Sequence, residues 1–188
     1  MRVIAGSAKR LLLESPPQGV RPTTDRTKET LFNIINYRLF DAYVLDLFSG
    51  SGALGIESLS RGANSCVFND MNNSSIEIIK KNLNHTKLIE KARIIKYDYV
   101  SALNALHQQG DCFDLIFIDP PYNQGYEMEA LKQIDMLKLI RNQGLIIVES
   151  SIETELDDKS FTNLEIVREK TYRTNKFTFI EYKKGEIE

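Results

Sequence analysis

Two short stretches carry residue types suited to chemistry: "FDLIFIDPPY", Phe113 to Tyr122, and "VLDLFSGSGALG", Val44 to Gly55. In the first, an apolar run delivers a carboxylate, two prolines and a tyrosine. Prolines fix the backbone and remove donors, so the carbonyls here are held as acceptors without competing amides. An exocyclic base amine is a poor nucleophile because its lone pair is delocalised into the ring. If Asp119 and the Pro120 carbonyl each accept one N–H, the nitrogen is drawn toward tetrahedral geometry with its lone pair aimed at an electrophilic methyl group. That is positioning and electrostatic preorganisation, with no covalent intermediate. Tyr122 offers a face on which an extruded base stacks. Asp119, Pro120, Pro121 and Tyr122 are the candidate catalytic residues. Read alone, the same four residues also suit a rigid turn after a strand.

The second stretch holds Gly50, Gly52 and Gly55 as G-x-G-x-x-G, with Asp70 twenty residues after the first glycine. This spacing is that of a dinucleotide fingerprint, and it equally suits an adenosyl sulfonium, since both need close backbone approach. Asp46 separates the two. Beside a pyrophosphate a buried anion is repelled, whereas beside the ammonium of a methionine moiety it is attracted. The loop therefore favours S-adenosylmethionine, the alternative being that Asp46 merely caps the glycine turn. Asp70 can accept from ribose hydroxyls of either cofactor. Asp98, in "IIKYDYV", can accept an adenine amine or cap the helix that follows. The candidate cofactor residues are Asp46, Ser49, Gly50, Ser51, Gly52, Asp70, Met71, Asp98, Tyr99 and Asp119.

These residues need a scaffold that brings them to one edge. Short apolar runs at Tyr43–Leu47, Ser65–Asn69, Arg93–Tyr97, Leu115–Ile118 and Leu145–Val148 alternate with helical patterns over residues 53–61, 74–84, 100–109 and 127–140. The pattern predicts an α/β fold of five βα units, a mostly parallel sheet whose strand ends carry the ligand site. Leu164–Val167 and Phe177–Tyr182, with Asn175 at the intervening turn, predict an antiparallel hairpin closing the sheet. Arg2–Ala5 and Arg10–Leu13 read as a β-hairpin. A helix follows, capped by Thr24 or Asp25 and striped by Leu31, Phe32, Ile34, Ile35 and Leu39. The expected division is a basic extension over residues 1–40 on a core of residues 41–188.

With 188 residues, 42% of them hydrophobic, the chain can bury one substantial core. A net charge of −2 excludes a global positive field for nucleic acid. The positive charge is instead local: residues 1–40 carry +4 and the remainder −6. Two cysteines, Cys66 and Cys112, and two histidines give no zinc-ligand spacing, so no metal is expected. No apolar run approaches a membrane span, and Lys9-Arg10 interrupts any signal-peptide core, so a cytoplasmic protein is expected.

The combination resembles a known family. Asp/Asn-Pro-Pro-Tyr after the fourth strand is similar to the amino-directed methyltransferases. "MRVIAG", "RPTTDRTKETLFNII", "VLDLFSGSGALGIESLSRGA" and "FDLIFIDPPY" together resemble the RsmD family of bacterial 16S rRNA guanine-N2 methyltransferases over nearly the whole chain. The resemblance implies a Rossmann-like seven-stranded fold, S-adenosylmethionine as cofactor, and methylation of guanine 966 in assembling 30S subunits. It places Asp46, Gly50 and Gly52 on the cofactor loop, Asp70 on the ribose, Asp98 on the adenine side and residues 119–122 on the target amine. Arg21, Thr23 and Arg26 match a block beside the cleft. With Arg2, Lys9, Arg10 and Lys28 they are the expected RNA contacts. The chain departs from the family's K-G-R-x-L after Gly6, since Arg10 takes the glycine position and Leu11 the arginine one, and Arg173 replaces a glycine near the C-terminus. A monomer is expected. The other readings are an adenine-N6 methyltransferase, an NAD-dependent oxidoreductase and a non-catalytic RNA-binding assembly factor.

Overall fold

The computed structural model describes residues 1–15, 25–121 and 124–183. Thr24, proposed above as a cap, lies outside them, and Asp25 is the first residue of helix α1 (Asp25–Ile35). The elements then run β1 (Tyr43–Asp46), α2 (Ala53–Ser60), β2 (Ser65–Asn69), α3 (Asn73–Thr86), β3 (Ala92–Ile95), α4 (Tyr99–Gln108), β4 (Phe113–Ile118), α5 (Tyr126–Leu137), β5 (Ile140–Ser151), β6 (Leu164–Thr171) and β7 (Asn175–Tyr182). The sheet order is β3-β2-β1-β4-β5-β7-β6. Strands β1 to β5 are parallel, and β7 inserts antiparallel between β5 and β6.

Alternation along each strand divides the core into two layers. Val44, Leu115, Phe117 and Ile147 face a layer containing Leu31, Phe32 and Ile35 of α1, Ile56 and Leu59 of α2, and Ile79 and Leu83 of α3. Leu45, Ile116, Ile118 and Val148 face Ala102, Leu103 and Leu106 of α4 and Ala130, Leu131 and Ile134 of α5. With both faces covered, the central strands read as continuous apolar runs, which is why the sequence exposed them.

Four βα units form rather than five, because β5 continues through a single 3₁₀ turn, Asp158–Ser160, into the antiparallel strands. Helix α5 ends at Leu137 rather than Ile140, where Lys138 takes a φ of 53° and Ile140 already pairs with Phe113. Asn175 is the first residue of β7, paired with Ser151, and its carbonyl accepts the Tyr172 N–H that closes the turn. A bulge between Ile166 and Arg168 interrupts the alternation expected in β6 and leaves Val167 exposed.

The N-terminal residues pair as a narrow hairpin, with one bridge between Arg2 and Leu12, the Val3 N–H donating to the Leu11 carbonyl and the Arg10 N–H donating to the Val3 carbonyl. Its turn sits on the end of α2. Gly6 has a φ of +83°, and a Cβ there would lie 1.7 Å from the Ser60 carbonyl oxygen, so only glycine fits. Arg10, at the position where the related family has glycine, also adopts a left-handed φ of 73°.

One buried side chain staples the hairpin, α1 and α2 together. Glu57 of α2 accepts from the Ile4 N–H at 2.8 Å, the Ala5 N–H at 3.0 Å and Arg61 Nε at 2.7 Å, and pairs with Lys28 Nζ at 3.2 Å. Lys28 also donates to the Arg2 carbonyl at 2.7 Å. Both Lys28 and Glu57 are fully buried. Replacing Glu57 with Ala strands two cations and two amides. The expected loss is about 3 to 5 kcal/mol, the magnitude for breaking a buried charge network, read by urea unfolding. A loss below about 1 kcal/mol would mean that water or a shifted side chain takes over these partners.

Candidate active site

Ligand-facing residues of a doubly wound sheet lie beyond the carboxyl ends of its strands. After β1 the chain turns through Gly50, at φ +54°, and Gly52, at φ +78°, before entering α2. Nothing lies within 4 Å of the place a Gly50 Cβ would occupy, so the backbone there is open to a ligand. Gly55 has a different role, since a Cβ would stand 2.3 Å from the Phe68 ring and 2.7 Å from Cys66 Sγ, so this glycine lets α2 pack against β2.

The loop is held by its neighbours. The Gly50 N–H donates to Asp70 Oδ2 at 2.9 Å, and the Ser49 N–H donates to the Asn69 carbonyl at 2.9 Å. Ser49 Oγ donates to the Asp46 carbonyl, and the Ser51 carbonyl accepts from Asn82 Nδ2 at 2.9 Å. Asp70 therefore shapes the loop as well as ending β2, and its other oxygen accepts the Asn72 N–H. Met71, next to it, is exposed. Two amides unremarked in the sequence matter here. Asn69 Nδ2 donates to the Leu47 carbonyl while its Oδ1 accepts the Tyr97 N–H, tying three strand ends together. Asn82 links the loop to Glu14 of the N-terminal segment through both its amide oxygen and nitrogen. Its place beside Leu83, on the helix face that carries Ile76 and Ile79, was the signal the sequence held for Asn82.

Asp46 is buried, with Oδ2 accepting the Gly55 N–H at 3.1 Å. Its pKa is pushed up to about 7, chiefly by burial and further by Asp70, with the Gly55 hydrogen bond opposing. Asp119, which follows β4, is also driven well above the usual carboxylate range, first by burial and then by Glu149, Asp46 and Glu127. Pro120 is buried and Pro121 exposed. Tyr122 lies outside the described residues. The edge thus presents desolvated carboxylates with no cation among the described residues beside Asp46 or Asp119. Such a donor set fits a positively charged ligand, which would restore their ionised forms.

Beside this acidic centre Phe48, Tyr99 and Tyr126 form an aromatic group with ring centroids 5.2 to 6.4 Å apart. Phe48 and Tyr126 were not singled out in the sequence, because they come from separate strand-to-helix turns. Asp98 is the N-cap of α4, its two oxygens accepting from the Ser101 N–H and Oγ. These bonds hold its carboxyl below the usual range, so capping is the role the geometry displays for it.

The expected RNA contacts divide. Lys9, Arg10 and Arg26 are exposed. Arg2 is exposed but pairs with Asp25 at 2.8 Å. Lys28 is a correction: fully buried against Glu57, it is unavailable to a phosphate. The apolar-stripe argument for α1 did not reveal that this lysine faces inward. Arg21 and Thr23 lie outside the described residues. Among the described residues no group of three His, Cys, Asp or Glu side chains is placed to hold a metal ion, and no helix is long and apolar enough to cross a membrane.

A seven-stranded sheet with β7 antiparallel, a glycine turn after β1 and Asp-Pro-Pro after β4 define an S-adenosylmethionine-dependent methyltransferase fold. The chain belongs to the family described as "Conserved hypothetical protein 95", which matches residues 1–181, and this is the RsmD family that the motifs resemble. It is 39% identical over 173 residues to "Putative rRNA methyltransferase YlbH" of Bacillus subtilis (strain 168), covering 92% of this chain and 94% of that protein. It is 36% identical over 157 residues to "Ribosomal RNA small subunit methyltransferase D" of Escherichia coli (strain K12), covering 83% and 77%. The solved structure "Putative methyltransferase yhhF from Escherichia coli" superposes with a TM-score of 0.84 at 33% identity, over 97% of this chain and 98% of that one.

The raised pKa of Asp46 has a consequence for stability. The unfolded carboxyl ionises near 3.8 and the folded one at about 7, so between those pH values the unfolded chain has lost a proton that the folded protein keeps. Its contribution to stability is present below pH 4 and is lost as pH rises toward 7. Relative to Asp46→Asn, the ligand-free protein is expected to lose stability over this window in urea unfolding. Parallel pH profiles for the two proteins would contradict it.

Proposed function

We propose that the protein transfers a methyl group from S-adenosylmethionine to the exocyclic N2 amine of a guanine, of the guanine 966 type, in the 16S rRNA of an assembling 30S subunit. The observation that carries this reading is the placement of buried Asp46 and half-buried Asp119 at the carboxyl ends of the adjacent strands β1 and β4, in a family whose relatives are named as small-subunit rRNA methyltransferases. The cofactor supplies an electrophilic methyl carbon on a positively charged sulfur. Asp46 and the open backbone at Gly50 are suited to its ammonium-bearing portion, Asp70 to its ribose hydroxyls, and Met71 with Tyr99 to its adenine.

A positive charge bound beside Asp46 lowers the cost of ionising Asp119. The ionised Asp119 then accepts one amine N–H and the Pro120 carbonyl accepts another, which directs the nitrogen lone pair. Once the N–C bond has formed, the nitrogen must shed a proton, and Asp119, with its raised pKa, is placed to take it. The half-buried rings of Phe48, Tyr99 and Tyr126 offer apolar surface against which the bound cofactor and base would exclude water. The exposed cations of the N-terminal segment, Lys9, Arg10 and Arg26, would hold rRNA phosphates. The low net charge leaves room for ribosomal proteins to contribute to docking.

Mapping N2-methylguanosine in rRNA from cells with and without the gene tests the assignment, and an unchanged pattern would defeat it. Asp119→Ala is expected to lower methyl transfer to unmethylated small subunits by at least about 100-fold at saturating cofactor, the scale for removing one preorganised polar contact in a transition state. Activity within a few-fold of the parent would remove Asp119 from its assigned role. Replacing Lys9, Arg10 and Arg26 together with Ala is expected to weaken RNA binding and flatten its dependence on salt by about one unit of log–log slope per lost phosphate contact. A slope equal to the parent's would move the RNA surface elsewhere.

A further inference from the structure

We propose that Asn82 is a positioning residue that couples RNA docking to cofactor binding, so that each tightens the other. The inference rests on the rRNA-methylating reading above and extends it to a residue outside both of the binding surfaces named there. The side-chain amide of Asn82, on α3 and 1% exposed, bonds to two separate parts of the chain. Its Oδ1 accepts the Glu14 N–H at 2.8 Å, and its Nδ2 donates to the Glu14 carbonyl at 3.0 Å and to the Ser51 carbonyl at 2.9 Å. Both amide hydrogens are thereby used, one on the N-terminal segment and one on the glycine loop.

The hairpin that leads to Glu14 and the glycine loop meet opposite ends of α2. At the far end, Ser60 Oγ accepts the Ala8 N–H at 3.0 Å and donates to the Ala5 carbonyl at 2.6 Å, while the Ser60 carbonyl accepts the Ser7 N–H. At the near end, Gly52 of the loop is the N-cap. The helix between them has eight residues, about 12 Å. Lys9 and Arg10, the exposed cations assigned to rRNA phosphates, belong to the hairpin turn. From there the backbone bonds of Arg10 to Val3 and Leu13 to Met1 run down to Glu14. A phosphate held at the turn and a cofactor held at the loop therefore act on two ends of one hydrogen-bonded frame.

On the loop side, consecutive residues are fixed from the same βα unit: the Gly50 N–H by Asp70 just after β2, and the Ser51 carbonyl by Asn82. If the hairpin shifts along α2, the buried amide loses the Glu14 N–H and carbonyl together, and an unmade buried hydrogen bond is costly. Turning to recover a partner, the amide gives up the Ser51 carbonyl. A cofactor that needs the braced loop thus favours the docked hairpin, and RNA that holds the docked hairpin favours the braced loop. Such coupling is reciprocal, each ligand raising the affinity for the other by the same factor.

The test uses the full chain, small subunits that lack the methyl mark, and S-adenosylhomocysteine, the demethylated cofactor, which fills the site without turnover. Calorimetry first sets the saturating concentration of S-adenosylhomocysteine for each variant. Subunit affinity is then measured with and without it. The parent is expected to bind subunits about five-fold or more tightly when loaded, the scale of ordinary coupling between sites. In Asn82→Ala this ratio is expected to fall to near one. A merely structural role would weaken both affinities and leave the ratio unchanged, so a parental ratio in Asn82→Ala overturns the inference. A ratio of one in the parent also overturns it, while the methyltransferase reading stands. No binding of S-adenosylhomocysteine by the parent would overturn both. Should Asn82→Ala fail to fold, Glu14→Pro removes the N–H that Asn82 accepts and leaves the bond to Ser51 in place. A reduced ratio in Glu14→Pro supports the inference, and a parental one refutes it.

Discussion

A single buried carboxylate, that of Glu57, holds the N-terminal third of the molecule in place. Two backbone amides of the hairpin, a lysine from α1 and an arginine from its own helix converge on it, so the group is charged, desolvated and fully partnered. Burying one such anion is costly in isolation and tolerable here because two cations and two amides meet it with good geometry. The Arg61 guanidinium also lies over the Phe32 ring, 5.1 Å from its centroid, and Phe32 in turn packs against Phe117 of β4. The network therefore continues, through packing, to the strand that delivers Asp119.

The opposite situation holds at the strand ends. Asp46 and Asp119 are desolvated without cationic partners among the described residues, and their proton affinities rise accordingly. The two sites obey the same physics. Glu57 shows what a fully satisfied buried carboxylate looks like in this fold, and the contrast marks the unsatisfied ones as groups that await a ligand. The aromatic wall of Phe48, Tyr99 and Tyr126 deepens the contrast, since burial is also the first cause of the raised Tyr99 phenol pKa, ahead of Glu129.

Much of this was legible in the chain. Strands covered on both faces announce themselves as apolar runs, and glycine turns and Asp-Pro-Pro declare themselves by local chemistry. What stayed hidden depends on register and on distance along the chain. Glu149 sits in "IIVESS", where nothing local marks it, and its bond from Asn175 becomes visible only once β5 and β7 are aligned. Lys28 occupies a polar place in a helical pattern and reads as a surface cation until Glu57 is found opposite it. Asp98 had two readings, and the Ser101 contacts displayed the capping one. The bulge in β6 and the early start of β5 escaped notice because irregular register leaves no periodic trace.

Asn82 joins Glu14 of the N-terminal segment to the Ser51 carbonyl in the glycine loop. Besides Asp25 and Lys28 nearby, the first fifteen residues find partners in Glu57, Ser60 and Asn82, some 50 to 70 positions later in the chain. During synthesis this segment emerges before those distant partners, and its full set of contacts is in reach only once α3 has left the ribosome. The hairpin is thus among the later parts to settle, and such long-range closure slows folding. The glycine loop acquires its final bracing only at that late step, so a truncated nascent chain ending before Asn82 would carry the motif without the support that shapes it.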